Sequence, residues 1–254
     1  MKFTLLGTGT SQGVPMIGCA CGVCTSTNPH DNRLRSSLLI QSKATTIVVD
    51  AGPDFRQQML RERVSRIDAI VFTHEHKDHI AGLDDIRAFN YLQKQALPVY
   101  ATSRVISALK REFAYVFDEI QYPGLPQIQL IEIDPHKAFM VGDLELLPIP
   151  VMHLNLPVLG FKIGNFCYIT DANFIPQSTL PLIKNCDVLI LNALRHQAHP
   201  SHFTLSEAIG VAQSINAKKV FFTHISHQLG LHSEQNALLP DNMQLAFDGL
   251  SINL

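Results

Sequence analysis

Residues 74–79 read His-Glu-His-Lys-Asp-His, so three histidines and an aspartate fall within six positions. A strand cannot place all four on one face because its side chains alternate, and a helix of about 3.6 residues per turn cannot either. A strand end that becomes a helix start can, with His74 and His76 projecting from the extended part and Asp78 and His79 from the helical part. Imidazole and carboxylate together suit zinc, manganese or iron. The segment predicts a metal site with two metals; a polar loop of exposed histidines is the alternative.

Other candidate donors follow predicted hydrophobic strands further along the chain. Each of these strands ends at, or shortly before, an imidazole or a carboxylate, namely His74, His153, Asp171 and His224. Ligands at strand ends lie along one edge of a sheet, where a rigid scaffold lets them converge. We expect a three-nitrogen site formed by His74, His76 and His153. A second, mixed site would be formed by Asp78, His79 and His224. Asp171 would be a carboxylate that bridges the two. Two cations held this way suit phosphoryl displacement.

A second cluster lies near the start of the chain, where Cys19, Cys21 and Cys24 form a C-x-C-x-x-C pattern. Three thiolates this close commonly need a fourth ligand to complete a tetrahedral zinc site. Small buried thiols or a redox pair are the alternatives. The chain has five cysteines in all, an odd number, which favours metal binding over disulfides in a protein without a secretory signal.

Asp50 closes a strand predicted over residues 45–50 and enters an Asp-Ala-Gly-Pro turn. A carboxylate at this point can orient a metal-bound histidine by accepting its second N–H. It can instead cap the helix predicted over residues 54–62. The sequence leaves both roles open.

The remaining elements are predicted from apolar spacing and from turn residues. Helices are expected over residues 84–95, 103–117, 176–184 and 204–215. A proline- and glycine-rich loop is expected over residues 121–126. Strands are expected over residues 128–133, 139–141 and 144–151. Two more, over residues 159–163 and 166–170, are expected to form a hairpin that turns at residues 164–165. Five arginines are candidates for phosphate binding, although each also suits an ordinary surface: Arg33, Arg35, Arg56, Arg87 and Arg195.

Composition sets limits on size and partners. The 254 residues, 46% of them hydrophobic, suit one large domain or two small ones with a sizeable core. A net charge of −2 argues against an extended nucleic-acid surface but leaves a small anionic substrate open. The apolar start before Gly7 is too short for a signal peptide, and no apolar run is long enough for a membrane helix. We therefore expect a soluble, cytoplasmic protein without membrane contact.

The His-x-His-x-Asp-His motif, followed by the separated donors His153, Asp171 and His224, resembles the metallo-β-lactamase superfamily over nearly the full chain. The resemblance implies an α/β (α+β) fold, a four-layer αβ/βα sandwich, with a dinuclear site at one edge. It implies a single domain over residues 1–254, in two pseudo-related halves of about 1–120 and 121–254. It also implies that Asp50 lies behind the ligands.

Within that superfamily, the segments 7–9, 12–15 and 223–228, together with the cysteine cluster, resemble the phosphoribosyl cyclic phosphate phosphodiesterases (PhnP-like). This resemblance implies that His227 is the fourth ligand of a structural zinc. It also implies that His202, in the Pro-Ser-His-Phe segment 200–203, protonates the leaving oxygen or contacts the phosphate. His196 and His199 are competitors for that role. Asn192 and Ala193 depart from the family pattern, which leaves the exact substrate open.

The function implied is a metal-dependent phosphodiesterase acting on a small cyclic phosphate or phosphodiester, through a hydroxide that bridges two metals. The catalytic residues would be His202 and the ligand Asp78. The implied cofactors are two divalent ions, Zn²⁺ or Mn²⁺, and one structural Zn²⁺, and a homodimer is the family-level expectation. Alternatives are tRNA 3′-end processing, thioester or lactone hydrolysis, and a non-catalytic accessory role in cofactor biosynthesis.

Overall fold

Two mixed seven-stranded sheets form the centre of the fold. The computed structural model describes residues 1–118 and 123–254. The strands of the first sheet are β1 Lys2–Gly7, β2 Ser37–Gln41, β3 Thr46–Val49, β4 Ala69–Val71, β5 Leu97–Ala101, β6 Ile128–Glu132 and β14 Ser251–Asn253. Their order is β14-β1-β2-β3-β4-β5-β6, so the last strand of the chain pairs with the first.

The second sheet takes the strands between β6 and β14. They are β7 Phe139–Val141, β8 Leu144–His153, β9 Leu156–Ile163, β10 Phe166–Ile169, β11 Val188–Asn192, β12 Lys219–Thr223 and β13 Met243–Leu245. Their order is β13-β12-β11-β10-β9-β8-β7. β9 and β10 form the predicted antiparallel hairpin across residues 164–165.

Short helices cover the outer faces of the sheets. The α-helices are α1 Phe55–Arg61, α2 Lys77–Ile80, α3 Arg87–Gln93, α4 Ser103–Glu112, α5 Ala114–Phe117, α6 Leu180–Ile183, α7 Leu205–Ile215 and α8 His232–Asn236. Single 3-10 turns lie at Pro29–Asp31, Leu83–Ile86 and His227–Leu229. Within residues 1–118 and 123–254, no helix is long and apolar enough to cross a bilayer.

Three apolar clusters show how the layers pack. One joins the inner faces of both sheets, where Phe3 stacks on Phe166 with ring centroids 3.8 Å apart. A second lies between the first sheet and α1 to α5, and a third between the second sheet and α6 and α7. Alternate residues of β10 face the two sides, with Tyr168 in the inner cluster and Cys167 in the outer one. The layers are therefore helix, sheet, sheet, helix, and the predicted αβ/βα sandwich is confirmed.

Parallel ladders fix the edge at which donors emerge. β3 to β6 run parallel in the first sheet, and β10 to β13 run parallel in the second. Carboxyl ends of parallel strands meet at one edge, and ligand sites of open α/β sheets lie there. The predicted donors follow β4, β10 and β12 and end β8.

Several predicted elements differ in length from those observed. The helix predicted over 103–117 is broken at Phe113, whose backbone (φ −116°, ψ 40°) is not helical, into α4 and α5. The helix predicted over 176–184 is only α6, because Pro181 in its first turn has no N–H to extend a preceding turn. Residues 121 and 122 of the predicted loop lie outside the described residues. The cap of α7 is Thr204, in a capping box with Glu207.

Candidate metal centre

The segment 74–79 leaves the first sheet after β4 and starts α2. His76 directly precedes the helix with extended backbone angles (φ −64°, ψ 149°), and α2 begins at Lys77. The predicted change from strand end to helix start is confirmed. It separates the two leading histidines from the Asp78–His79 pair, which lie in different donor clusters.

The first donor cluster contains three imidazoles. One ring nitrogen from each of His74, His76 and His153 lies within 4.8 Å of the others. His74 Nε2 is 3.0 Å from His76 Nδ1. His74 and His153 are buried, whereas His76 is exposed and opens the cluster to solvent.

The second donor cluster combines two carboxylates with two imidazoles, from Asp78, His79, Asp171 and His224. The Nε2 atom of His79 lies 3.2 Å from Asp78 Oδ2 and 3.2 Å from Asp171 Oδ2. Asp171 also shares a donor set with His153 and with His202. Its carboxylate therefore lies between the two clusters, as its predicted bridging position requires.

Two of the histidines use Nδ1 to donate to a group behind them. His79 Nδ1 is 2.7 Å from Asp50 Oδ2, and His153 Nδ1 is 2.7 Å from the carbonyl oxygen of Ser201. Since both partners only accept, the imidazole is the donor in each bond. This leaves Nε2 of each ring for the donor cluster, the arrangement found behind most metal-bound histidines.

His74 and His224 follow the same pattern through hydroxyl groups. Thr73 Oγ1 lies 2.9 Å from His74 Nδ1 and donates to Asp50, so the ring N–H is the donor to Thr73. Ser36 Oγ lies 3.1 Å from His224 Nδ1, and the hydroxyl proton of Ser36 is used on the carbonyl oxygen of Gly9. Nδ1 of His224 also lies 3.2 Å from Asp171 Oδ2, so this ring has the same nitrogen near the second cluster. Three of the five histidines, His74, His79 and His153, thus have Nδ1 occupied behind the clusters. Ser36 and Ser201 were not predicted from the sequence.

Asp50 is fully buried behind the second cluster. Besides His79, its carboxylate accepts from the backbone N–H and the hydroxyl of Thr73. Burial raises its pKa, against the lowering effect of His79. The carboxylate has no bond to the start of α1, so the helix-capping alternative is wrong and the position behind the ligands is the observed one.

The charges in the second cluster oppose one another. Burial alone would lower the pKa of His79, but Asp78, Asp171 and Asp50 around it raise that pKa well above its ordinary value. Burial likewise opposes ionisation of Asp171, yet the facing His224 and His79 hold its pKa well below its usual range. A proton on His79 balances charge here that a divalent cation would also balance.

Unpartnered atoms test whether a metal fits these residues. Nε2 of His224 is buried and has no hydrogen-bond partner within the described part of the chain. Nε2 of His79 lies 3.2 Å from the carboxylates of Asp78 and Asp171 but makes no hydrogen bond of acceptable geometry. Buried polar groups are normally paired, so such atoms call for a ligand. Imidazole nitrogen with carboxylate oxygen suits zinc and manganese, and the donor set therefore fits divalent cations.

Among the candidate ligands and Asp50 behind them, three residues have left-handed backbone. Asp50 (φ 65°), Asp171 (φ 55°) and His224 (φ 57°) each follow a strand, and none is glycine. For a residue with a Cβ this conformation costs roughly 1–2 kcal/mol. The turn ends each strand abruptly and reorients the side chain at the sheet edge. Strain of this kind is concentrated at functional sites.

His202 lies beside both clusters. Its ring stacks on His224 with centroids 4.7 Å apart and lies 4.5 Å from the ring of His153. Its Nδ1 is 3.8 Å from Asp171 Oδ1. Burial lowers the pKa of His202 to about 2, so the ring is neutral. His199 packs against His202 at 5.0 Å, whereas His196 bonds to Gln235 outside the clusters.

The cysteine cluster and His227 come together as the resemblance implied. Sγ of Cys19 and of Cys21 lie 3.5 and 3.3 Å from His227 Nδ1, and Cys24 completes a set of four donors within 4.8 Å. The backbone N–H of Cys24 lowers the pKa of Cys21 to about 6, and burial raises that of Cys24 to about 11. The three thiols are partly exposed, so the alternative of small buried thiols is wrong.

A cavity of about 480 Å³ opens onto the first cluster, lined by His76, Arg104, His153, Leu154, Asn155, Leu156 and Ser201. None of the five arginines proposed from the sequence lines it. Arg33 is buried against Thr8 and the carbonyl of Ala246, Arg35 pairs with Asp54, and Arg195 bonds to Gln228. Arg87 pairs with Asp84, and Arg56 lines a separate apolar cavity.

Arg104 is the arginine that sequence reasoning missed. It lies in the first turn of α4, directly after β5, a parallel neighbour of β4. The same strand-end rule that found His74 would have found it.

Comparison with known proteins agrees with this geometry. A family model described as a β-lactamase superfamily domain matches residues 45–225. A solved structure described as a new diphosphatase from the PhnP family has a TM-score of 0.93 and 41% identity, covering 100% of this chain and 97% of that one. The chain belongs to the metallo-β-lactamase superfamily. Within the superfamily it is PhnP-like, and the resemblance stated from the motifs is confirmed.

Other members and relatives show how far the likeness extends. Zn²⁺-bound PqqB from Methylobacterium extorquens has a TM-score of 0.83 at 18% identity over the full length of both chains, which is a likeness of fold. A protein named octanoyltransferase from Porphyromonas gingivalis is 41% identical over 252 residues, which is 98% of this chain and 51% of that one. The chain thus spans about half the length of that relative. Superfamily membership and the two donor clusters support a metal-dependent hydrolase.

Proposed function

We propose that this protein is a dinuclear metal-dependent phosphodiesterase that hydrolyses a small cyclic phosphate or phosphodiester. The observation that carries the proposal is the convergence of seven nitrogen and oxygen donors into two adjacent clusters with Asp171 between them. The diphosphatase named among its structural neighbours supports a substrate that contains phosphorus. The proposed unit of activity is one domain over residues 1–254, because both sheets supply donors.

The proposed ligands are those in the two clusters, with Zn²⁺ or Mn²⁺ as the ions. His74, His76 and His153 would hold one ion, Asp78, His79 and His224 the other, and Asp171 would contact both. When bound, two such ions lower the pKa of water and neutralise charge on phosphoryl oxygens. The chain's own contribution is orientation: hydrogen bonds behind His74, His79, His153 and His224 hold these rings in place.

His202 is proposed to give a proton to the departing oxygen. Its pKa is low in the substrate-free protein, so this role requires a bound anionic phosphoryl group, whose negative charge raises the pKa of a neighbouring imidazole. Its ring lies against His153 and His224, one from each cluster, and so faces the place where a bound phosphoryl group would lie. Asp171 Oδ1, at 3.8 Å from its Nδ1, is close enough to influence the orientation of the ring. Asp78 takes part in the reaction as a ligand of the second ion.

The cysteine cluster with His227 is proposed to hold a structural Zn²⁺, since four such donors complete a tetrahedral site. A small anionic substrate, a cytoplasmic location and a homodimer complete the proposal.

We do not propose acyl transfer, the activity in the name of the Porphyromonas relative. Acyl transfer through a thioester needs an accessible cysteine, whereas Cys167 and Cys186 are fully buried and the other three lie in the cluster.

The test is turnover of bis(p-nitrophenyl) phosphate, cyclic nucleotides and a diphosphate ester by protein loaded with Mn²⁺ or Zn²⁺, with metal content measured in the same sample. A thioester, a lactone and a precursor tRNA serve as competing substrates. We expect hydrolysis of phosphorus esters that is lost in His76→Ala, whose exposed side chain leaves the fold intact by circular dichroism. No turnover of any phosphorus ester with both clusters occupied would reject the proposal, and preference for a competing substrate would replace it.

A further inference from the structure

Arg104 is the only lysine or arginine among the residues described as lining the cavity over the first cluster. Its side chain is 55% exposed. Nε donates to Glu75 Oε1 at 2.6 Å, and neither terminal nitrogen has a hydrogen bond within the described residues. The guanidinium is thus held at one nitrogen and presents two further donor groups at the cavity.

Glu75 makes this arrangement part of the metal motif. It lies between two of the proposed ligands, His74 and His76, so the backbone that places those imidazoles also places the carboxylate. Its side chain is only 16% exposed, and Oε2 is buried without a hydrogen-bond partner. The carboxylate of Glu75 orients Arg104 from behind. Because the guanidinium is planar and rigid, a hydrogen bond donated by Nε also fixes the direction of the two terminal nitrogens.

We propose that Arg104 is the residue that recognises the negative charge of the substrate, donating from its two terminal nitrogens to the two non-bridging phosphoryl oxygens. Glu75 is its positioning residue. Guanidinium groups bind phosphate through two parallel hydrogen bonds, each assisted by charge. This inference rests on the proposed function, because it assigns the substrate's anionic group to a place beside the first cluster.

The first experiment compares Arg104→Ala with Arg111→Ala, a control on the same helix whose guanidinium is 69% exposed, pairs with Glu112 and does not line the cavity. We expect KM for bis(p-nitrophenyl) phosphate to rise about tenfold to a hundredfold in Arg104→Ala, the range for charge-assisted bonds. kcat should change little, because the bond is made in the ground state and in the transition state alike. Arg104→Lys should recover part of the loss, and Arg111→Ala should match the wild type.

A second readout does not depend on turnover. Calorimetric binding of inorganic phosphate to the metal-loaded protein should weaken in Arg104→Ala by about the same factor as KM rises. Hydrolysis of an uncharged phosphotriester should be unaffected. The role of Glu75 is tested in a double-mutant cycle: Glu75→Ala should raise KM in the wild type and have no further effect in Arg104→Ala, whereas Glu75→Gln keeps an acceptor for Nε and should rescue.

The outcomes separate this inference from the proposed function. If wild-type protein hydrolyses the diester and Arg104→Ala leaves both KM and phosphate affinity unchanged, the inference is wrong and the phosphodiesterase stands. If fully loaded wild type hydrolyses no phosphorus ester, the proposed function fails, and phosphate calorimetry alone still shows whether Arg104 binds the anion. An equal effect of Glu75→Ala in both backgrounds would remove Glu75 from its positioning role.

Discussion

Asp50 shows how a single buried carboxylate organises the site at the residue scale. It accepts from His79 directly and from His74 through the hydroxyl of Thr73, so it orients an imidazole of each cluster. The sequence placed Asp50 at a strand end but left its role open between cap and support. The left-handed backbone of Asp50 decides where the carboxylate points. It could not be predicted from the sequence, because no glycine marks this position.

Replacing Asp50 with Asn should weaken metal binding at the second cluster about tenfold to a hundredfold, since the amide cannot orient His79 as an anion does. Competition with a calibrated chelator measures the affinity. Asp54→Asn is the matched control, because that carboxylate is four residues away and pairs with Arg35 instead. Equal affinities in Asp50→Asn and wild type would show that the hydrogen bond does not support the ligand.

His202 can be tested through the leaving group. In His202→Asn, kcat for alkyl phosphodiesters should fall about a hundredfold or more, the range for a lost general acid, while p-nitrophenyl esters should lose much less because their leaving group departs without a proton. His196→Asn, which alters an exposed ring bonded to Gln235 outside the clusters, serves as the control and should behave as wild type. Equal losses on both ester types would assign His202 a positioning role only.

At the scale of elements, prediction succeeded wherever a strong local signal existed. The segment 74–79 had to change from strand to helix for its donors to converge, and the structure has that change. Helix lengths were less predictable, because the break at Phe113 depends on packing that still buries this residue against the sheet. The place of His227 beside the cysteines was expected only from the family resemblance, and the short 3-10 turn that begins at His227 was not predicted.

The cysteine loop and that turn meet at the four donors, so a substitution in the loop should affect both metal content and stability. Cys24→Ser should lower metal content from three ions per chain to two and reduce the free energy of unfolding on the order of 4 kcal/mol, as loss of a structural metal does. Mass spectrometry under native conditions counts the ions, and chemical denaturation gives the stability. Cys186→Ala, outside the cluster, should keep all three ions. A third ion retained in Cys24→Ser would place it elsewhere.

At the scale of the whole molecule, neither half of the chain can form the site alone. The first sheet supplies His74, His76, Asp78 and His79, and the second supplies His153, Asp171 and His224. Hydrophobic patterning predicted most strands, but it could not assign them to sheets, since every buried strand looks alike from its residues. The family resemblance supplied that architecture, and the pairing of β14 with β1 became visible only in the structure.

The closing of the chain on its first strand buries a polar network with a pH-dependent member. His232 Nδ1 lies 3.0 Å from a terminal nitrogen of buried Arg33, with His30 and Asp31 also facing it. Burial, with Arg33 and His30, lowers the pKa of His232 to about 4, while Asp31 opposes this. The unfolded chain, with an ordinary pKa of 6.5, therefore binds more protons between pH 4 and 6.5.

The free energy of unfolding should accordingly fall as pH drops through that window, and His232→Gln should remove this part of the slope. Urea titrations at a series of pH values measure it, with chelator-free buffers that keep the metals bound. His196→Gln, an exposed substitution, should leave the slope unchanged. Parallel pH profiles for wild type and His232→Gln would exclude His232 as the source.

At the three left-handed residues of the sheet edge, the backbone conformation lowers stability while the side chain serves the proposed metal site. Glycine adopts that backbone without strain, so in metal-free protein we expect Gly at position 50, 171 or 224 to offset part of the stability lost with the native side chain. The same exchange removes a proposed ligand or its support. A saturation library scored for melting temperature in metal-free protein and for turnover in metal-loaded protein should place glycine higher in the first ranking than in the second at these three codons. Selection for heat resistance alone would then tolerate the loss of catalysis at these positions.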